Sequence, residues 1–401
     1  MKALAWVRLA AVIVVGMGLV VVVVVALKLS FHDTTSVSEG ERTKRVTVEY
    51  GGSWPMFGGG QGHLGRAESV LPNSLFLVWK FKTGGEVRSS PVIDGGMVFV
   101  GSSDAYVYAI DQKTGKRIWV YKTGDAVDAT PCVFYGVVFI GSTDNFLYAI
   151  DAKTGTLKWK YQTEGQISGG ANLVHSPDGQ KAWVLVGSYD NKLHCVDAES
   201  GKVVYTYETG NYVNGSPAVD EGKVVFGGCD AKIHAVNTVD GSRVSETDSG
   251  SYIAGSAAVF EGCAYVGNYE GLFLKVDITK GEVMWKYSGG DEPFFSSPAV
   301  AEKVVVFGGR DNRVHCVNRD DGKVVWTFQT GGDVDGSPVI CGDKVVVGSQ
   351  DGRLYMIRLS DGKQVWSYEV GRAIMTCAAV AGGMVVIGSD DGYVYAFGAR
   401  R

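Results

Sequence analysis

Hydrophobic positions along this chain fall into two regimes. Residues 9–27 form an uninterrupted run of 19 apolar or small residues, with Lys2 and Arg8 ahead of it and Lys28 behind. At about 1.5 Å per residue a helix over this run spans roughly 28 Å, close to the hydrocarbon thickness of a bilayer. That length predicts a transmembrane anchor rather than a cleaved signal peptide, whose apolar region usually runs about 7 to 15 residues, although Val24 and Ala26 would serve as small-residue cleavage positions. Residues 30–50 turn polar and charged with little periodicity, which reads as a tether. Beyond Trp54 the apolar residues come only in short β-branched and aromatic runs between Gly, Asp, Asn and Ser. Such runs predict short strands joined by tight turns, with no second membrane span.

The short runs repeat. The tetrapeptide Gly101-Ser102-Ser103-Asp104 is echoed from Gly141, Gly187, Gly227, Gly267, Gly308, Gly348 and Gly388, at offsets of 40, 46, 40, 40, 41, 40 and 40 residues. Each unit holds four strand-like runs, at 91–93, 97–100, 106–110 and 118–122 in the first, and four antiparallel strands per repeat make one propeller blade. Eight units therefore predict an all-β chain, an eight-bladed β-propeller preceded by one N-terminal transmembrane helix. The expected division is 1–29 anchor, 30–52 tether and 53–401 propeller. Trp79 stands alone ahead of the first unit, and the last unit ends without its outer aromatic strand. The strand near 77–83 should therefore complete the last blade and remove an exposed edge.

Positions that recur once per blade read as structure. The acids Asp104, Asp144, Asp190, Asp230, Glu270, Asp311, Asp351 and Asp391 sit where a turn carboxylate accepts backbone N–H groups, and one per blade spreads them around the ring. The outer aromatics, from Trp79 and Trp119 to Trp366, read as packing between blades. His194, His234 and His315 take the register that Tyr108 and Tyr148 fill elsewhere, on separate blades, so they form no zinc site. The small steps ahead of the inner strands, such as Ser89, Gly169 and Gly336, suit strands crowded around an axis.

Charge and cysteine content narrow the function classes. With 38 basic and 43 acidic residues the net charge is −5, without basic blocks, which argues against nucleic-acid binding. The seven cysteines have no C-x-x-C spacing and no adjacent pair, so most read as small buried hydrophobes. Lys2, Arg8 and the amino terminus ahead of the apolar run predict a cytoplasmic N-terminus and a propeller outside the cytoplasm, in a periplasm where there is one.

The stretch Ala109-Ile110-Asp111-Gln112-Lys113-Thr114-Gly115-Lys116-Arg117-Ile118-Trp119 resembles the tryptophan-docking repeat of PQQ-like β-propellers, the family of quinoprotein dehydrogenases and of the outer-membrane assembly factor BamB. Ser53-Trp54-Pro55-Met56-Phe57, with His63 beyond, is similar to the lead-in of such propellers. The resemblance covers about residues 53 to 398 and implies the propeller fold. It also implies two activities, binding and scaffolding as in BamB, or PQQ-dependent oxidation. The dehydrogenases often carry two adjacent cysteines beside the quinone, and this chain has no such pair and no position matching their calcium ligands or catalytic Asp. BamB is a lipoprotein, and no cysteine precedes Cys132.

A site is sought where the repeat is broken. On the loops entering the inner strands, the position before the apolar residue reads Glu86, Ala126, Gln166, Tyr212, Tyr252, Pro293, Asp333 and Ala373 around the ring. The position after it reads Arg88, Asp128, Ser168, Asn214, Ala254, Phe295, Asp335 and Met375. An axial funnel with Tyr212, Tyr252, Phe294, Phe295 and Asn214 on one wall and Arg88, Asp128, Asp333 and Asp335 on the other would seat a partner protein or peptide segment, or a small-molecule ligand. The alternative docking edge is the blade-three extension at 175–180 beside Ser245, where blade four lacks its aromatic. No nucleophile, phosphate loop or metal motif is present. The expectation is a membrane-anchored, BamB-like binding or scaffolding module that is not an enzyme and holds no cofactor; a PQQ-dependent oxidoreductase is the alternative.

Overall fold

A computed structural model describes residues 52–400, so the expected anchor and almost all of the tether lie outside the described residues. No helix among the described residues is long and apolar enough to cross a membrane. The all-β, eight-bladed architecture read from the repeat is what the structure shows. Each of blades 1 to 7 is built on an antiparallel meander of four consecutive strands, in blade 1 Val92–Asp94, Met97–Ser102, Tyr106–Asp111 and Arg117–Lys122, and blade 7 gains a fifth, Arg66–Ala67, parallel to its inner strand Val339–Cys341. Blade 8 is composite. Its first three strands, Ala379–Ala381, Met384–Gly388 and Tyr393–Gly398, come from the end of the chain, and its outer strand is Phe76–Lys82, antiparallel to Tyr393–Gly398 with Leu77 opposite Phe397 and Lys82 opposite Tyr393.

Burial explains the two kinds of strand. The second and third strands of each blade are covered on both faces by neighbouring blades, so runs such as Val98, Phe99 and Val100, or Val107 to Ile110, are apolar throughout and buried. Outer strands keep one face in water and alternate, as in Leu157–Gln162. The outer tryptophans bind blade to blade. Trp119 donates its indole N–H to the Ala152 carbonyl of the next blade at 2.8 Å, and its ring lies against Gly155, where a Cβ would come within 2.8 Å of the indole. Gly155 also has a φ of +74°, so the docking turn needs glycine twice over. Ser245, which lacks the ring, keeps the bond: its Oγ donates to the Ile278 carbonyl at 2.8 Å.

The inner strands are crowded as their small residues require. A Cβ on Gly169 would lie 2.7 Å from the Gly215 carbonyl oxygen of the next blade. Successive blades are linked by hydroxyls, with backbone N–H groups donating from Gly170 to Ser216, Ser216 to Ser256, Ser256 to Ser297, Ser297 to Ser337 and Cys377 to Ser90. All seven cysteines are free thiols, and five are buried.

Residues 54–65 form a strap across the axis. Trp54, Pro55, Gln61, Gly62, Leu64 and Gly65 offer their carbonyls to the N–H groups of Ile93, Val133, Val219, Val259, Val300 and Ile340, one register position in blades 1, 2, 4, 5, 6 and 7. Gln61 reaches blade 3 through a side-chain bond to the Leu173 carbonyl at 2.7 Å. Its own Trp54, Met56 and Phe57 are buried. His63, 1% exposed, receives the Asn172 amide at Nε2 (3.1 Å), while its Nδ1 is buried without a hydrogen-bond partner. Burial holds its pKa at about 3, against the opposing effect of the backbone at Ala257.

Candidate functional site

The turn acids are committed to the scaffold. In blade 1, Asp104 accepts the Gly84 N–H at 2.5 Å, the Tyr106 N–H at 3.1 Å and the Tyr108 hydroxyl at 2.6 Å. In blades 3, 4 and 6 histidine replaces that tyrosine. The Nε2 atoms of His194, His234 and His315 meet Asp190, Asp230 and Asp311 at 3.0, 2.9 and 3.1 Å, and their Nδ1 atoms face the hydroxyls of Tyr161, Tyr207 and Tyr287 at 3.0, 3.2 and 2.9 Å. Burial lowers the pKa of His194 despite the Asp190 carboxylate. Each relay is internal to its part of the ring. Among the described residues no group of three His, Cys, Asp or Glu converges as metal ligands would. Blade 5 departs from the pattern: Leu274 stands at the Tyr register, and Asn268 rather than Glu270 ties the turn by accepting the Glu270 and Leu272 N–H groups at 3.0 and 2.9 Å.

At the end of the axis opposite the strap, the loops build a cup from three rings of side chains. Two are the variable positions read from the repeat. The third, which sequence reasoning missed, is the residue just before each turn acid: Ser103, Thr143, Tyr189, Cys229, Tyr269, Arg310, Gln350 and Asp390. Backbone bonds fix it beside the first ring, with the N–H groups of Tyr189, Cys229, Tyr269, Arg310, Gln350 and Asp390 donating to the carbonyls of Gln166, Tyr212, Tyr252, Pro293, Asp333 and Ala373. Along an extended strand at about 3.3 Å per residue, the five or so residues from the Arg88 register to the strap lie roughly 16 Å deep. The strap lies at the far end, bonded to the inner strands of seven blades.

The third ring joins neighbouring blades. Tyr189 stacks on Tyr212, with centroids 4.9 Å apart and planes 6° from parallel. Tyr269 meets Tyr252 edge-on at 6.1 Å and packs on Phe295 at 4.5 Å. The Arg310 guanidinium lies 3.9 Å over the Phe295 ring and grips Asp335 through Nε and Nη2 at 3.1 and 2.9 Å, with Asp333 at 3.9 Å. Gln350 adds a bond to Asp335 at 2.8 Å. The hydrogen bonds that Arg310 donates to Asp335 raise its pKa. These contacts make two runs, Tyr189 with Tyr212 between blades 3 and 4, and Tyr252 through Tyr269, Phe295 and Arg310 to Asp335 and Gln350 in blades 5 to 7. On the other side Arg88 pairs with Glu86 at 2.7 Å and approaches Asp390 at 3.8 Å, and Ser103 donates to Asp128 at 3.0 Å.

The structure thus places Tyr212, Tyr252, Asn214, Phe295, Arg88, Asp128, Asp333 and Asp335 on the cup. Phe294 is corrected: it is 1% exposed and packs edge-on against Phe307 and His315 at 5.0 and 5.2 Å. It fills the apolar slot taken by Val87 and Val127 in other blades, pointing into the core between its two ring neighbours. The blade-three extension lies at the strap end, where His175 contacts Phe134 at 5.8 Å. A cleft of about 530 Å³ between blades 6 and 7, lined by Arg66, Lys303, Val325 and Asp343 among others, is also at that end and shares no residue with the cup.

A ring of eight blades, five of them tied to the next by a docked tryptophan, closed by its own N-terminal strand and bearing an axial cup, defines a PQQ-like repeat β-propeller. The family described as beta-alanine-activating enzyme, beta-propeller, matches residues 123–342, more than half of the chain, and the chain belongs to that family. A comparison with curated proteins finds no match. Among solved structures, BamB from Moraxella catarrhalis is similar at 22% identity, with 82% of this chain and 98% of BamB covered at a TM-score of 0.67. The quinohemoprotein alcohol dehydrogenase ADHIIG from Pseudomonas putida HK5 is similar at 15% identity, covering 87% of this chain and 81% of that one at a TM-score of 0.73. The quinohemoprotein alcohol dehydrogenase from Comamonas testosteroni stands at 16% identity, 87% and 81% coverage and a TM-score of 0.72. These likenesses are of fold.

Proposed function

We propose that the protein is a membrane-anchored binding or scaffolding module, BamB-like in kind, that holds a segment of a partner protein in the axial cup outside the cytoplasm. The observation that carries this reading is the pair of open tyrosines on the cup, Tyr212 at 46% and Tyr252 at 53% exposure, backed by the packed rings of Tyr189, Tyr269 and Phe295. Large aromatics left open in a concavity built on rigid strands are what binding anchors require, each supplying roughly 2 kcal/mol or more when a partner covers it. The family description names an activating enzyme, but the part it names is a β-propeller.

The dehydrogenase likeness of fold makes quinone chemistry the second reading. PQQ is a tricarboxylate, and its site must supply cations. The only cationic side chains on the cup rings, Arg88 and Arg310, are already paired with Glu86 and Asp335. The residues present do not fit that group. Placement on the membrane rests on the apolar run 9–27; mature chains from the membrane fraction should retain their N-terminus, whereas sequences starting near residue 27 would replace the anchor with a cleaved signal.

The test of the cup is a triple variant, Tyr212→Ala, Tyr252→Ala and Phe295→Ala. Its circular dichroism and melting should match the wild type, and capture of membrane partners by crosslinking should be lost. Unchanged capture, with loss instead on substitution around Pro177 or Ser245, would move the working surface to the propeller's edge. Dye-linked alcohol oxidation after reconstitution with PQQ and calcium would overturn the non-enzymatic reading.

A further inference from the structure

The cup carries a charge imbalance that its internal pairs do not cancel. Its three rings hold five carboxylates, on Glu86, Asp128, Asp333, Asp335 and Asp390, and two guanidiniums, on Arg88 and Arg310, with no lysine or histidine. Arg310 is spent on Asp335 and Arg88 on Glu86, at 2.9 and 2.7 Å. What remains is a negative wall through blades 7, 8, 1 and 2.

Two buried acceptors on the rings are unfilled. The Oδ1 of Asp390 has no hydrogen-bond partner, and Arg88 reaches it only at 3.8 Å. Burial, opposed by Arg88 and aided by Glu86 and Asp128, raises the Asp390 carboxyl above the usual range. On the facing wall the Oδ1 of Asn214, as its amide is oriented, is likewise buried without a partner. A group that completes these atoms must bring N–H or O–H donors. Between them Tyr212, Tyr252 and Tyr269 present ring surface to solvent, and an aromatic face attracts a cation. An anionic ligand would meet like charge on the carboxylate wall.

We propose that the cup selects a cationic partner segment, which sets at least one lysine or arginine side chain between the tyrosines of blades 4 and 5 and the carboxylates of blades 7, 8, 1 and 2. The aliphatic stem of such a side chain lies along a tyrosine while its head faces the part-exposed carboxylates of Asp333 and Asp128. This rests on the cup being the partner site and adds the chemistry of what enters it.

Fluorescence anisotropy with the full chain in mild detergent tests it, using labelled hexalysine, hexaglutamate and a neutral glycine-serine hexapeptide. Hexalysine should bind, more weakly as salt rises, and the other two should not. The pair Asp333→Asn and Asp390→Asn should weaken hexalysine about tenfold, as should Tyr212→Ala with Tyr252→Ala. Asp320→Asn with Asp321→Asn, in a turn at the strap end, should change it less than twofold. Equal binding of all three peptides, or equal loss from the Asp320 and Asp321 pair, would overturn cationic selection. If partner capture falls in the tyrosine variant but survives in the Asp333 and Asp390 variant, the cup stands and its charge preference is wrong. If neither variant changes capture, both readings fail.

Discussion

His63 should make the propeller acid-sensitive through the strap. Its folded-state pKa is about 3, against the ordinary value of 6.5, because the ring is buried beneath the strap with no hydrogen bond at Nδ1. Below about pH 6.5 the unfolded chain takes up a proton that the folded chain refuses, so stability falls as pH drops and goes on falling to about pH 3. At pH 4 the difference is roughly 2.5 pH units, or about 3 kcal/mol at about 1.36 kcal/mol per unit. With about 2 cal/mol/K of unfolding entropy per residue over roughly 350 residues, that is a melting shift of about 4 °C. His63→Gln keeps an acceptor for the Asn172 amide and removes the titration. Calorimetry at pH 7 and pH 4 should show wild type losing about 4 °C more than the variant. Parallel losses would refute the argument, because carboxylates common to both proteins would then account for all of the acid response.

Two further outcomes follow from the ring. Trp119→Ala removes a docked ring and its bond to Ala152, and should cost about 3–5 kcal/mol in urea unfolding; Trp366→Ala should cost less than half as much, since the composite blade 8 offers it no docking turn. Deleting residues 1–84 takes away strap and closing strand together and should leave a protease-sensitive, aggregating chain, whereas deletion of 1–52 should melt like wild type; equal melting of the two would mean that the closing strand is dispensable.

The repeat made the fold legible because blade packing imposes similar demands on blade after blade: a small inner residue, a turn acid and, in most, a docked ring. Ser245 looked like a lost aromatic, yet its hydroxyl preserves the one bond the repeat needs. The cup was legible only in part. Tyr212 and Asp335 stood out as breaks in pattern, whereas Tyr189, Tyr269 and Arg310 lay hidden inside the constant tetrapeptide, where variation beside an invariant acid was the available signal. Phe294 was misread because aromatic character does not reveal which way a residue at the apolar register points. The strap could not be read at all. It holds the blades through backbone carbonyls, which leave no trace in side-chain type, and its partners lie far along the chain.

The composite last blade also bears on how the molecule comes into being. Lys82 and the Asp391 carbonyl it bonds are 309 residues apart. Bringing such distant segments together in a flexible chain costs about 5 kcal/mol of closure entropy beyond a constant. Until the C-terminal strand has left the ribosome, the early strand has no mate. For that interval the growing arc exposes the sheet edge that the finished ring conceals, and ring closure is the step at which a chaperone, or a neighbouring nascent copy, would compete.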